Sequence, residues 1–378
     1  MSKKVFLIRN VAPEKFGGGE TYQLELAREL KTHGFSPAII TNSKELLRRA
    51  KEAGFKTFVP PYISNQNWSG AKNLLLPFFW LKLKTQERWY SKLFQVEQPS
   101  VVNIQSRDDW LSATCAAKKL KIKIFWTDHI DFRSWALWNI DEKFKNPIGK
   151  QIIKIASRVD KIIFISDYEY NWFTSLPTNQ KFKNLTIIKN GAIDQFEKYK
   201  DIKPVKNSFC YVGRIVDYKG ISELITAFER ISSKHLGATL NIFGDGDVKK
   251  YQTATSCPNI TFHGYTKNPL EAIAKNEFFV LPSHREGLSL SLLDAAMMQK
   301  TIIVTDVGAA TEVIDHKKSG LLVHPGSTEA LANAMLEVLE NKSLSNSMAK
   351  NARKKFEQEF NFDQIFEQQM LPLYRTKD

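Results

Sequence analysis

Short runs of β-branched and aromatic residues alternate with helical patterns along the whole chain. In the first half the runs are Val5 to Ile8, Ala38 to Ile40, Thr57 to Val59, Val101 to Ile104, Ile124 to Trp126, Lys161 to Ile165 and Thr186 to Ile188. In the second half they are Phe209 to Val212, Leu240 to Phe243, Ile260 to Phe262, Phe278 to Leu281, Ile302 to Val304 and Leu321 to Val323. Apolar runs of this length, separated by helices, predict parallel strands with crossover helices. At 378 residues the chain is too long for one core and fits two domains of roughly 150 to 200 residues. The polar, lysine-rich stretch Gln195 to Asn207, holding Pro204, is the expected linker, because the rhythm starts afresh after it. The reading is α/β: two doubly wound domains, 1–194 and 195–361, with a cleft implied between them.

One segment departs from this rhythm. Trp68 to Phe94 packs LLLPFFWLKLK and RWYSKLF into a stretch of aromatics and cations, where Pro77 kinks or starts a helix. Two readings stand. Either Phe78, Phe79 and Trp80 enter a membrane interface with Lys82, Lys84, Arg88 and Lys92 near the headgroups, or a core-facing helix snorkels its lysines. The longest apolar run, Leu74 to Leu81, is far short of the ~20 residues that span a bilayer. At the N-terminus only Val5 to Ile8 separates Lys3 and Lys4 from Arg9, which reads as a buried strand and not as a secretion signal.

Cys115, Cys210 and Cys257 form no CxxC pair and leave an odd thiol in any disulfide scheme, as suits a reducing compartment. The expected location is cytoplasmic, or peripheral on the inner face of the plasma membrane. Charge is uneven. Residues 1–190 carry 31 Lys and Arg against 17 Asp and Glu, and residues 191–378 carry 23 against 23, so the net charge of +14 lies in the first half. Such a field favours an anionic partner, a lipid surface, a phosphorylated acceptor or nucleic acid, or else serves only to solubilise the surface.

Several motifs carry candidate chemistry. After the first strand, FGGGE (Phe16 to Glu20) places Gly17, Gly18 and Gly19 at the start of a helical pattern, where free amides can face an anion; a plain strand-to-helix turn explains it equally. TDHIDF sets His129 between Asp128 and Asp131 at a strand end, and a carboxylate there can orient the imidazole. In YVGRIVDYKG, Gly213, Arg214 and Lys219 precede the next helix; a guanidinium fork and a point charge suit adjacent phosphates. Asp245-Gly246-Asp247 reads as a strand-closing turn and not as a metal site. In SHREGLSLSLLD, Glu286 stands in a loop and Asp294 within the following helix. Amides of Gly287, Leu288 and Ser289 are left free at the helix start. Carboxylates accept hydrogen bonds from sugar hydroxyls. Asp294, among Leu292, Leu293, Ala295 and Ala296, would cost several kcal/mol if left unpaired.

Taken together, GGGE, KNGAID (Lys189 to Asp194), YVGRIVDYKG, NIFGDGD, FHGY, LPSHREGLSLSLLDA and TDVGAATEVI resemble the retaining glycosyltransferases of family four, with the GT-B fold. That resemblance implies two Rossmann-like domains facing a central cleft, the C-terminal one holding a nucleotide-diphosphate sugar and the N-terminal one the acceptor. It implies that a final helix, about 362–378, packs back on the first domain. It assigns Arg214 and Lys219 to the diphosphate, Glu286 to donor-sugar hydroxyls and Asp294 to the ribose. Gly17 to Gly19 approach the phosphates, and His129 sits beside the donor sugar.

The family pattern carries Glu at both ends of its seven-residue spacer, whereas position 294 is Asp, shorter in reach by roughly 1.5 Å. The implied reaction moves a hexose or N-acetylhexosamine, most simply from UDP, to a glycan, lipid-linked or other anionic cell-envelope acceptor. No metal, cofactor or nucleic acid is expected in it; an anionic membrane surface reached through Trp68 to Phe94 is the further partner. The alternatives are a nucleotide-sugar epimerase of the same architecture and an inactive sugar-nucleotide-binding protein. The pattern speaks against a dehydrogenase, because neither first strand is followed by GxGxxG with an acid about 20 residues on.

Overall fold

The structure, a computed structural model, describes residues 2–11, 16–62, 76–129, 147–176, 178–235 and 237–375. It divides into two compact units, Met1–Ile188 with Phe366–Asp378, and Lys189–Ile365.

The first unit is built on seven parallel strands: β1 (Lys4–Ile8), β2 (Ser36–Ile40), β3 (Lys56–Phe58), β4 (Val101–Ile104), β5 (Lys123–Asp128), β6 (Lys161–Phe164) and β7 (Leu185–Ile187). Their order is β3-β2-β1-β4-β5-β6-β7. Helices cover both faces, which is why β1 reads as an unbroken apolar run with Val5, Phe6, Leu7 and Ile8 all buried. Trp110 stacks on Trp126 with centroids 4.9 Å apart. Residues Phe366–Arg375 pack on this unit. Asn103 Nδ2 donates to the Tyr374 hydroxyl at 2.7 Å, and the Tyr374 ring meets Phe125 edge-on at 5.3 Å.

The helix Leu76–Glu97 answers part of the question raised by the aromatic segment, whose residues 68–75 lie outside the described ones. Pro77 stands in its first turn. Its later turns are core-facing, with Tyr90 and Phe94 buried. Its first turns expose Phe78 (68%), Trp80 (37%) and Leu81 (63%). Phe79, placed with its neighbours at a membrane interface in one of the two readings, packs partly buried against the core, because the helical period turns it away from Phe78, Trp80 and Leu81.

The second unit holds β8 (Val205–Val212), β9 (Thr239–Phe243), β10 (Ile260–Gly264), β11 (Asn276–Leu281), β12 (Thr301–Thr305) and β13 (Leu321–Val323). They are parallel in the order β10-β9-β8-β11-β12-β13. Each of the expected strands is present in the two sheets. The stretch 195–207, expected as a linker, instead contains the short helix Phe196–Tyr199 and the first residues of β8. The Val205 amide donates to the Lys275 carbonyl at 2.9 Å, so sheet pairing overrides the polar composition. The two chain ends of this unit are tied together. Ala192 and Asn361 form a parallel bridge, and Arg353 grips both Asp194 oxygens at 2.9 and 2.6 Å.

Both sheets reverse strand order at their middle, between β1 and β4 and between β8 and β11. At such a point the loops leave toward opposite faces and open a crevice at the carboxyl ends. Among the described residues, no helix is long and apolar enough to cross a membrane.

Beside the first reversal Asp109 is fully buried and accepts four hydrogen bonds, from Tyr62 (2.8 Å), Tyr90 (2.7 Å), Ser106 (2.6 Å) and Asn10 (2.9 Å). It joins the end of β1, the loop after β3, the Leu76–Glu97 helix and the start of the next helix. Asp109→Ala removes the acceptor shared by all four donors and should lower unfolding free energy by about 3 kcal/mol in urea titrations. A loss below about 1 kcal/mol would mean that the donors find other partners.

Candidate active site

At the second reversal, β8 runs into Gly213 and Arg214, and a 3-10 turn (Asp217–Lys219) then leads to the helix Ile221–Ser232. The facing loop runs from β11 through Ser283 and Glu286 to the helix Leu290–Met297. Backbone contacts fasten the two. The His284 amide donates to the Tyr218 carbonyl at 2.8 Å. Gly220, at φ +70°, lies so close to Pro282 that any Cβ would collide with its carbonyl, so this approach requires glycine. From the β12 side, Gly308, at φ +61°, likewise touches the Glu286 carbonyl, and the Ala309 amide donates to the Gly287 carbonyl at 3.2 Å.

These contacts bring Lys219 and Glu286 together. The Lys219 ammonium pairs with Glu286 Oε1, both side chains being largely buried, and the buried Ser283 hydroxyl donates to the same oxygen at 2.7 Å. Thr305 Oγ1 donates to the Ser283 carbonyl at 2.5 Å, so β12 braces the loop. Arg214 is exposed, and its Nη2 donates to the Tyr218 hydroxyl. Beneath it the buried Tyr211 hydroxyl donates to the Arg214 carbonyl at 2.7 Å. The Asp245–Asp247 turn pairs by backbone with Ile215, at 2.7 and 2.8 Å, which gives the GDGD segment a structural task. Among the described residues, no three His, Cys, Asp or Glu side chains gather as a metal site.

The helix Leu290–Met297 starts at Ser289, whose side chain makes no capping bond. Among the described residues, nothing accepts a hydrogen bond from the amides of Gly287, Leu288 or Ser289, so the positive end of the helix is open to an anion. Asp294 follows on that helix. Its side chain keeps some accessible surface but forms no hydrogen bond or ion pair among the described residues. Leu292, Leu293, Ala295 and Ala296 around it are buried, and this desolvation pushes its pKa up to about 7.

In the first unit, Gly17 opens the helix Gly18–Thr32 without a side-chain cap. Arg9, at the end of β1, lies across the first turn of that helix. Its Nε donates to Glu20 at 2.6 Å and its Nη1 to the Gln105 carbonyl at 2.9 Å. A Cβ on Gly19 would strike the guanidinium. His129 lies on the same edge, its Nε2 3.4 Å from Gln105 Oε1 and its ring edge-on to Tyr22 at 4.9 Å. Burial and the Arg9 charge hold it well below the usual histidine pKa, so the ring is neutral near pH 7. Asp131, expected beside it, lies outside the described residues.

The structure thus gathers Gly213, Arg214, Lys219, Glu286, Gly287, Leu288, Ser289 and Asp294 on two facing loops and the helix behind them. Gly17 to Gly19 and His129 lie on one edge of the other unit. Sequence reasoning passed over Ser283, Tyr218, Arg9, Glu20 and Gln105. Ser283 alone had a readable signal, three residues before Glu286 at the strand exit.

The family model described as Glycosyltransferase Family 4 matches residues 16–195, and the one described as Glycosyl transferases group 1 matches residues 193–355. With two helix-flanked parallel sheets, these matches define a glycosyltransferase of the GT-B fold. Relatives narrow the comparison. The chain is 26% identical over 311 residues to the capsular polysaccharide biosynthesis glycosyltransferase CapM of Staphylococcus aureus, covering 75% of this chain and 78% of that one. Its fold matches that of Anabaena Alr3699/HepE in complex with UDP and glucose, with TM-score 0.76 at 17% identity over 100% of both chains. It also matches S. aureus TarM in complex with fondaparinux, alpha-GlcNAc-glycerol and UDP, with TM-score 0.77 at 15% identity over 99% of this chain and 100% of that one.

The raised Asp294 pKa carries a sign. Between the ordinary aspartate value of 3.8 and about 7, the folded state holds a proton that the unfolded state has released, so stability falls as pH rises through that window. Asp294→Asn removes this loss. Thermal unfolding should show the variant gaining on wild type between pH 5 and pH 8, by on the order of 2 to 3 kcal/mol. A difference equal at both pH values would place the carboxyl in water.

Proposed function

We propose that this glycosyltransferase moves a hexose or N-acetylhexosamine from a UDP-sugar to a glycan or lipid-linked acceptor of the cell envelope, with retention at the anomeric carbon. One observation carries the reading: two cations and an uncapped helix terminus surround one carboxylate at a sheet's reversal point. That combination suits a sugar attached to a diphosphate. UDP in two solved structures of the same fold supports the choice of base, and the capsular relative supports the acceptor class.

In this mechanism the anomeric bond to the diphosphate loosens into an oxocarbenium-like state, and the acceptor hydroxyl attacks from the leaving-group face. Negative charge grows on the diphosphate. Arg214, Lys219 and the amides after Glu286 meet it where it develops, each well-aimed donor contributing on the order of 3 kcal/mol. The leaving phosphate takes the acceptor proton, so no second carboxylate acts as nucleophile. Glu286 accepts hydrogen bonds from sugar hydroxyls, and Asp294 does so from the ribose. The uncapped helix start at Gly17 to Gly19 and the neutral His129 are assigned to the phosphates and the donor sugar.

For the acceptor side we propose attachment to an anionic membrane, on its cytoplasmic face. Phe78, Trp80 and Leu81 are exposed at the start of the Leu76–Glu97 helix, and Lys84, Arg88 and Lys92 are exposed further along it. Glu87 pairs with Lys119 at 2.5 Å and lies 3.8 Å from Lys84. Apolar insertion flanked by cations fits an interfacial helix. The three cysteines stand as free thiols, in keeping with a reducing compartment.

Two measurements test these assignments. In a purified transfer assay with a UDP-hexose, turnover should survive EDTA, and Lys219→Ala should lower kcat by about 10²- to 10³-fold. Loss of turnover on chelation would give the charge neutralisation to a metal, and a near-normal Lys219→Ala rate would remove the ammonium from the mechanism. In flotation with vesicles containing phosphatidylglycerol, wild type should rise with the lipid and Phe78→Ser with Leu81→Ser should stay behind. Equal flotation of both sinks the membrane reading.

A further inference from the structure

Tyr218 occupies an unusual place between the two cation-bearing loops. Arg214, Lys219 and Arg285 all approach its ring, at 5.7, 5.7 and 5.8 Å from the centroid. Its hydroxyl accepts a hydrogen bond from Arg214 Nη2. Its backbone carbonyl accepts from the His284 amide at 2.8 Å, one residue before Arg285. A single residue therefore touches both loops through backbone, ring and hydroxyl.

Several acids of this neighbourhood have partners. Glu286 is held by Lys219 and Ser283, Asp217 by Lys250 and the Tyr251 hydroxyl, and Glu223 lies 2.8 Å from His284 Nε2. Arg214 and Arg285 carry like charge on two loops, with Lys219 paired to Glu286 between them. The negative face of an aromatic ring within about 6 Å attracts each of them, and a phenol oxygen can fix one guanidinium in direction. Such a ring keeps cations gathered before any anion arrives, and the ordering need not then be supplied at binding.

We infer that Tyr218 is a positioning residue for the donor diphosphate, holding Arg214, Lys219 and Arg285 together as a three-cation cradle of which Arg285 is a member. This inference rests on the proposed donor reading and deepens it. Were Tyr218 only a prop for the 3-10 turn, its loss would weaken every ligand of the unit alike. As a cation holder it acts in proportion to the phosphate charge.

The test compares UDP with UMP by titration calorimetry at two salt concentrations, using the full chain. Tyr218→Leu should weaken UDP binding by about tenfold and UMP binding by about threefold or less, and should flatten the salt dependence for UDP. Tyr218→Phe, which keeps the ring and the fold and loses only the bond to Arg214, should fall between wild type and Tyr218→Leu. Arg285→Ala should reproduce the selective loss for UDP. Equal losses for UDP and UMP, or full UDP affinity in Tyr218→Leu, would overturn the assignment while leaving the donor reading intact. Wild-type protein that binds no UDP would overturn the UDP-donor reading itself and this inference with it.

Discussion

In a parallel sheet whose strand order reverses, the loops leaving the two central strands run to opposite faces and leave a crevice at their carboxyl ends. In the second unit those strands are β8 and β11, and Arg214, Lys219, Glu286 and Asp294 all follow their exits. The crevice is narrowed to bonding distance by close backbone approaches. Gly220 against Pro282 and Gly308 against Glu286 bring three strand exits into contact, at places where any side chain would force them apart. Lys219 reaches Glu286 only because the chain one residue later can press against the facing loop.

Charge at this site is held in two ways. Lys219 and Glu286 satisfy each other, while Arg214 and Arg285 remain exposed over the Tyr218 ring. The loops that carry these groups are already fastened to each other through backbone. The first unit handles its charge differently. Arg9 and Glu20 form a largely buried pair that also grips the Gln105 carbonyl, and burial, with the Arg9 charge second, keeps His129 neutral.

Much of this was legible in the residues, and the division is physical. Every strand could be read because parallel strands buried on both faces are continuous apolar runs, and glycines with cations after strands marked the loops. Glu286, Lys219 and Arg214 were readable because charged residues in glycine turns seldom serve packing. The partners were not. Ser283, Tyr218 and Gln105 are ordinary polar residues until the fold brings a carboxylate, two arginines or a histidine to them. The polar stretch 195–207 misled for the same reason, since the beginning of β8 is held by a carbonyl of Lys275, far along the chain. Phe79 and Phe78, adjacent and alike in sequence, were separated only by the helical period.

Asp294 joins these threads. A glutamate there, as in the family pattern, would carry its carboxylate about one carbon-carbon bond further from the helix, roughly 1.5 Å. The shorter aspartate keeps the charge close to Leu292, Leu293, Ala295 and Ala296, where desolvation pushes its pKa to about 7. No group among the described residues repays that desolvation, and a fold selected for stability alone would not retain the acid. Hydroxyl donors from a ligand would repay it, because each hydrogen bond to the ionised form favours that form. An acid so placed costs the empty protein stability as pH rises through its raised pKa, and any ligand that donates hydrogen bonds to the ionised carboxylate would reduce that cost.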